Sequence, residues 1–330
     1  MAVVTNPTSG DLHVNRPLTN FSQLYMQQAD RFMSLRAFPN LPVVRQSDLY
    51  YTFDKGDFYR SLAEERADGA ESAGSGFTLT TGEYFAKVYA FHKDISDRQR
   101  ANQDDAINLE RTAMRYVTLK MLLAREEQMQ KALFTNGIWA NEITGATSAS
   151  STEFIRWKLP DSDPIKDVRT GLTHVQGKTG YRPNKMLIGR KAYDALMDND
   201  SVLDRITGGS TVAQPAQVMH QTLASLFELD AIMVMDAVQN TAIRGSSDDI
   251  DFIGGNNALV YYAPNMVGLE EPTAAMQFSW TGYLGATESG SRIKRFRMEH
   301  LSSDRIEGEM AFVYKVIAPD MGYFFNGVVE

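Results

Sequence analysis

Five histidines, a small group of aspartates and several glycine-rich turns are the residues of this 330-residue chain that would be recruited first for chemistry. Two histidines four residues apart on a helix, with a glutamate between them, would offer a metal ion two imidazoles and a water its general base. His13, His92, His174, His220 and His300 are scattered, and none has that spacing. Each reads as a structural or surface histidine. Asp48, Asp54 and Asp57 gather beside an aromatic stretch but lack the regular loop pattern of a calcium-binding hand, so they read as hairpin and turn carboxylates. A phosphate cradle requires glycines that let consecutive amides point at the anion, as in GxxxxGK[ST] or GxGxxG. GSGF at 74–77, IGRK at 188–191, ITGGST at 206–211, TG at 281–282 and GATESG at 285–290 match neither, and there is no GxSxG nucleophile elbow. Without a cysteine, disulfides, thiolate nucleophiles and every cysteine-ligated metal site are excluded. The chain is therefore read as having no catalytic, cofactor-binding or metal-ligating residue, needing no cofactor, and not being an enzyme.

Charge narrows the partners. Lys and Arg total 33 against 41 Asp and Glu, a net charge of -8, whereas a dedicated nucleic-acid-binding domain is usually basic. A shell around DNA stays compatible, because only its inner face meets phosphate. SRIKRFR at 291–297 is the one basic run, and its alternation of Arg292, Lys294 and Arg297 with Ile293, Phe296 and Met298 is imperfect. A solvated strand face is preferred there over contact with phosphate or a neighbouring subunit. No apolar run approaches the roughly 20 residues that cross a bilayer, and the first residues lack a basic region followed by an apolar core.

The elements that must carry these residues are unevenly self-sufficient. Residues 1–47 have isolated apolar anchors among turn formers, with extended NRPLTN and FPNLPVVR and a short helix from Phe21 to Phe32. Such a segment reads as an arm lying on something else. DLYYTFDKGDFY at 48–59 and FTLTTGEYFAKVYAFHKDI at 77–95 read as two strands around a polar, glycine-rich excursion. In the return strand Phe85, Lys87, Tyr89 and Phe91 share one face and Tyr84, Ala86, Val88 and Ala90 the other, so both sides need cover. From Asp104 to Phe134 no glycine or proline interrupts a helical pattern; Asp104 and Asp105 suit its start and Asn136-Gly137 its stop. Leu109, Ala113, Tyr116, Val117, Met121 and Ala124 define a face too broad for a coiled-coil seam.

Beyond the connector at 141–154, a helix begins at Ser162 or Asp163 with Pro164 just inside. Lys185 to Ile188 reads as a buried strand, with a helix from Arg190, a helix in VMHQTLASLFEL and a buried strand from Ala231. This order predicts a compact α/β region with a mixed sheet. NALVYYAP, TAAMQFSWTG, IKRFRMEHL and the closing GEMAFVYKVIAPDMGYFFNGVVE make the last third strand-rich, with a C-terminus held in packed structure.

In order and character, with YYAP and MGYFFNGVV the most specific pieces, the chain resembles the major capsid proteins of tailed bacteriophages with the HK97-like fold. The resemblance implies an α+β fold with an N-terminal arm (1–47), an extended β-hairpin loop reaching over an adjacent subunit (48–95), a peripheral domain with a long spine helix (96–180, helix 104–134), a mainly axial domain (181–265) and a return to peripheral-domain strands (266–330). Gly208 and Gly209 would lie in a loop near the local symmetry axis. It also implies partners: copies of the chain as pentamers and hexamers, a separate scaffolding protein, a portal protein, a decoration protein and non-specific contact with packaged DNA, with no membrane. Lys55, Lys87 and Lys93 lie in the loop, but no motif carries over the lysine–asparagine crosslink of some members. The function implied is an icosahedral virion shell around double-stranded DNA, assembled in the host cytoplasm. An encapsulin-type nanocompartment is the nearest alternative, and a soluble hydrolase with no visible site is the alternative of another class.

Overall fold

The computed structural model describes residues 27–102, 108–207, 220–264, 268, 271–282 and 287–330. One half is organised by β14 (Ser303–Val316), whose fourteen residues need partners on both edges. Along one edge runs antiparallel β4 (Lys87–Ser96); along the other lie antiparallel β13 (Ser291–Met298) and then β12 (Ala275–Trp280). β1 (Asn40–Val43) adds to β12 in parallel and completes a five-stranded sheet. Ile306, Met310, Phe312 and Tyr314 fall on alternate positions of β14, all buried, on the face that meets the long helix. Gly308 sits between them, and a Cβ there would come within 2.8 Å of Val117 and 3.1 Å of Met121. Its missing side chain lets the helix lie directly on the sheet.

That helix is Leu109–Leu133, about 37 Å long at 1.5 Å per residue. Asp104 and Asp105, the expected start, lie outside the described residues; the cap observed is Asn108, whose side chain accepts from Arg111 N at 2.9 Å. Ala113 and Val117 are buried as expected, but so are Arg125, Glu126, Met129 and Leu133, because the C-terminal half plugs between two sheets. A short helix, Asp97–Ala101, capped by Ser96 with Gln99 in a reciprocal capping box, precedes it.

The second sheet has six strands in the order β6 (Glu153–Ile155), β5 (Glu142–Ala146), β15 (Gly322–Asn326), β11 (Ala258–Tyr261), β7 (Lys185–Gly189) and β8 (Ala231–Met235). β11 runs antiparallel to both neighbours and the other pairs are parallel, giving the mixed sheet that was expected. Met186, Ile188, Val260 and Phe325 point into a core shared with helices Pro164–Thr179, Arg190–Met197, Asp200–Thr207 and His220–Phe227. The alternate residues Leu187, Leu259 and Phe324 join Met129, Leu133 and Phe134 on the opposite face. Covered on both faces, these strands are necessarily apolar throughout. The expected helix start holds: Asp163 accepts from Lys166 N at 3.1 Å, with Pro164 in the first turn. Val218 and Met219 of the expected helix in VMHQTLASLFEL lie outside the described residues, as do Gly208 and Gly209.

Several expectations are corrected. What residues 32–43 of the expected arm lie on is the chain's own body: Phe32, Ser34, Ala37 and Phe38 are buried in its core, Phe38 stacks on Tyr261 at 4.6 Å, and β1 belongs to the sheet. Of the helix expected from Phe21 to Phe32, the described residues carry only a 3-10 turn, Ala29–Arg31. The single return strand is two: β3 (Leu79–Phe85) pairs with β2 (Ser47–Phe53), and β4 pairs with β14. Between them Ala86 leaves the ladder, so the inward phase shifts from Tyr84 and Ala86 to Tyr89 and Phe91. The helix Pro164–Thr179 and the terminal strand β15 both serve the six-stranded sheet, while β12 to β14 serve the other.

Candidate functional site

The aspartates weighed for chemistry serve local structural tasks, and the described histidines are dispersed. Asp54 caps the one-turn helix Lys55–Phe58 by accepting from Gly56 N at 2.9 Å. Asp57 accepts from Thr78 N at 2.8 Å, which holds its carboxyl below the usual range, and Asp48 lies 3.6 Å from Arg45. His174 bonds through Nε2 to Asn141 Oδ1 at 3.1 Å and meets the Tyr323 ring edge-on; burial, then Lys178, lowers its pKa. His13 and the side chain of His220 lie outside the described residues. Among the described residues no group of three His, Asp or Glu could hold a metal ion.

What the fold does assemble is a surface. The β2–β3 hairpin leaves the body after Ser47 and returns at Phe85. Its root is anchored: Tyr84 stacks on Phe278 at 4.5 Å and nearly parallel, and Tyr50 stacks on the same ring at 5.6 Å. Lys55 pairs with Asp320, and Tyr59 donates to the carbonyl of Thr179. Beyond the root, Phe53, Phe58 and Phe77 form a three-ring cluster with centroids 5.7 to 6.0 Å apart, yet they remain 47%, 58% and 60% exposed. Tyr51, Leu49 and Leu79 add to the same exposed apolar strip. Three mutually packed aromatic rings left half in water form an exposed apolar patch, the kind of surface that interfaces are built from. Their signal in the sequence was the placement of phenylalanines on either side of a polar excursion too small to bury them.

The basic strand resolves differently. Arg292 meets Glu309 at 2.6 Å, Lys294 meets Glu309 at 2.8 Å and Glu307 at 3.2 Å, and Arg295 bridges Glu110 and Asp304 at 2.8 and 3.0 Å. Arg297 forks onto both oxygens of Asp97 at 2.6 Å. Burial pushes the Glu309 carboxyl up, but Lys294 and Arg292 more than offset this and hold its pKa low; Arg100 and Arg295 do the same for Asp304. SRIKRFR is thus neither a bare solvated face nor a free cationic patch, because cross-strand acids answer its charges.

A third feature ties the N-terminal segment to the long helix. Glu126, wholly buried, accepts from Ser34 N at 2.7 Å and Met33 N at 3.2 Å, and Tyr314 donates to the Ser34 carbonyl at 2.7 Å. Burial raises the Glu126 pKa and the two amides pull it back in part. Arg125, also buried, lies 4.5 Å over the Phe312 ring and donates to the Ser289 carbonyl at 2.6 Å.

No family model matches the chain. The major capsid protein of Burkholderia phage BcepMu is 24% identical over 230 residues, covering 69% of this chain and 70% of that protein. A phage-related protein from Bordetella bronchiseptica RB50 superposes with a TM-score of 0.66 at 19% identity, over 92% of this chain and 93% of that one. The SrpI encapsulin of Synechococcus elongatus PCC 7942 gives 0.58 at 11% identity, over 96% and 95%. The HK97-like fold expected from the sequence is thus present, shared with these structures across nearly the whole chain.

Proposed function

We propose that this chain is the major capsid protein of a tailed bacteriophage, assembling as pentamers and hexamers into the icosahedral head that encloses double-stranded DNA. The observation that carries this reading is the anchored hairpin with its exposed aromatic cluster: a subunit that buries two sheets thoroughly still presents an apolar strip left exposed among the described residues, which a neighbouring subunit would cover. A heterologous contact of this kind, repeated around fivefold and sixfold positions, closes a shell. The likeness to a phage major capsid protein over two thirds of the chain favours DNA over protein cargo, since fold alone does not decide function. On this reading the protein turns over no substrate. It works with a separate scaffolding protein, a portal and a decoration protein, is assembled in the host cytoplasm and ends in the virion. Among the described residues no helix is long and apolar enough to cross a membrane.

The test is expression of the full chain with and without its scaffold, then size-exclusion chromatography and negative-stain electron microscopy. Closed shells, or pentamers and hexamers that convert to shells, are expected. Shells loaded with one host protein would transfer the reading to a nanocompartment, and a uniformly monomeric species under both conditions would defeat it.

A further inference from the structure

The answered charges of β13 make an unanswered set conspicuous. Lys166 and Arg169 on the helix Pro164–Thr179, with Arg205 on the helix Asp200–Thr207, line an open groove of about 590 Å³. All three side chains are exposed, and none forms an ion pair with a carboxylate among the described residues. Thr170 and Thr173 continue the same wall, so polar groups run along roughly 10 Å of the helix from position 166 to 173. Asp163 is the acid in the lining, and its Oδ1 is engaged by Lys166 N as the helix cap, leaving the groove net positive in a chain of net charge -8.

From this placement we infer that the groove is a binding site for the phosphate backbone of double-stranded nucleic acid; the inference rests on the DNA-shell reading and names the surface that meets the DNA. The lining selects the ligand. Ile165 is the one apolar member among the described lining residues, so an acidic protein segment would find charge there but little to bury. Those residues include no phenylalanine, tyrosine or tryptophan, and so offer no platform for an unstacked base. Cations and hydroxyls in a row, two of the cations being guanidiniums, are the groups that hold phosphates without reading sequence. The imidazole of His174, turned to Asn141 and lowered in pKa by burial and by Lys178, adds no charge at neutral pH.

The test uses the purified full chain, in whatever assembly state it adopts, and a duplex DNA fragment of mixed sequence, with binding followed by fluorescence anisotropy as salt is raised. K166E/R169E/R205E should weaken binding at least tenfold and flatten the dependence of log affinity on log salt by about 3 per bound chain, near one per lost cation. K166Q/R169Q/R205Q should show the same direction with a smaller loss. R111E/R115E, at exposed positions of the long helix outside the groove, should change affinity less than threefold. Equal loss from both reversals, or none from the groove variants, would overturn the assignment. So would displacement of the duplex by poly-L-glutamate at equal charge concentration, which would hand the groove to an acidic protein segment. Electron microscopy of the same samples separates the two readings: groove-dependent binding by a chain that never forms shells would leave the groove standing and remove the shell. Normal shells whose DNA affinity ignores the groove would do the reverse.

Discussion

The six-stranded sheet and the β2–β3 hairpin are built from the same kinds of residue and meet opposite fates. In the sheet, Phe324 and Phe325 point to opposite faces and both are buried, one against Phe134 and the other between Phe154 and Trp157. In the hairpin, Phe53, Phe58 and Phe77 pack on each other and keep about half their surface in water. The sheet draws its cover from segments nearly 200 residues apart in the chain; the hairpin touches the body through Lys55 and Tyr59 but leaves its aromatic cluster half exposed among the described residues. Aromatic residues in the first region therefore supply the subunit's own stability, and on the proposed reading those in the second contribute their burial only when subunits assemble.

Substitutions should separate the two roles. Phe325→Ala, which opens a cavity between Phe154 and Trp157, should lower unfolding free energy by about 3–5 kcal/mol in urea titrations and abolish assembly only as a consequence. Glu126→Ala strips two buried amides of their acceptor and should cost roughly 3 kcal/mol, with the N-terminal segment becoming the first site of proteolysis; Glu126→Gln, keeping one acceptor, should cost less. Asp167 offers a test by pH. Burial, opposed by a hydrogen bond from Trp157 Nε1 at 3.1 Å, raises its pKa to about 6. A carboxyl that binds its proton more tightly when folded stabilises most below its unfolded pKa, and that contribution is lost as pH rises through 6. Urea midpoints should accordingly fall between pH 4.5 and 7 in the native chain. Asp167→Asn should remove that slope and gain about 1–2 kcal/mol at pH 7.5, a partial return of the shift because the site is not fully dry. Phe58→Ser should change the free energy of unfolding by less than about 1 kcal/mol, since the ring is mostly exposed, while sharply reducing the yield of assembled particles. Lys131→Ala, breaking the exposed pair with Glu127, should alter either readout by no more than about 0.5 kcal/mol.

Local signals in the sequence carried the elements whose causes are local. Asp163 and Pro164 mark a helix start by cap chemistry that acts within four residues, and it is found there. The unbroken stretch through Leu109–Leu133 is helical for the same reason. Its expected start at Asp104 and Asp105 lies outside the described residues, and the described cap is Asn108. What was not legible depends on distant partners. The two sheets compete for the chain, and nothing within residues 77–95 announces that Phe85 answers to β2 while Lys87 answers to β14, more than 200 residues away. The burial of Phe38 likewise awaits Tyr261. The basic strand looked available because its acids, Glu309, Asp304, Glu110 and Asp97, are adjacent only after folding. Conversely, Lys166 and Arg169 drew no notice, because a free cation is recognised only once its neighbourhood is known to hold no acid for it.

The claim that the hairpin aromatics are kept for a neighbour is tested most directly by amide hydrogen exchange, comparing residues 47–85 in unassembled subunits with the same residues in closed particles. The account predicts that backbone around Phe53, Phe58 and Phe77 gains protection by an order of magnitude or more on assembly, while β7, β11 and β15, already covered on both faces, exchange as slowly before as after. Hairpin exchange that is unchanged in closed particles would contradict it.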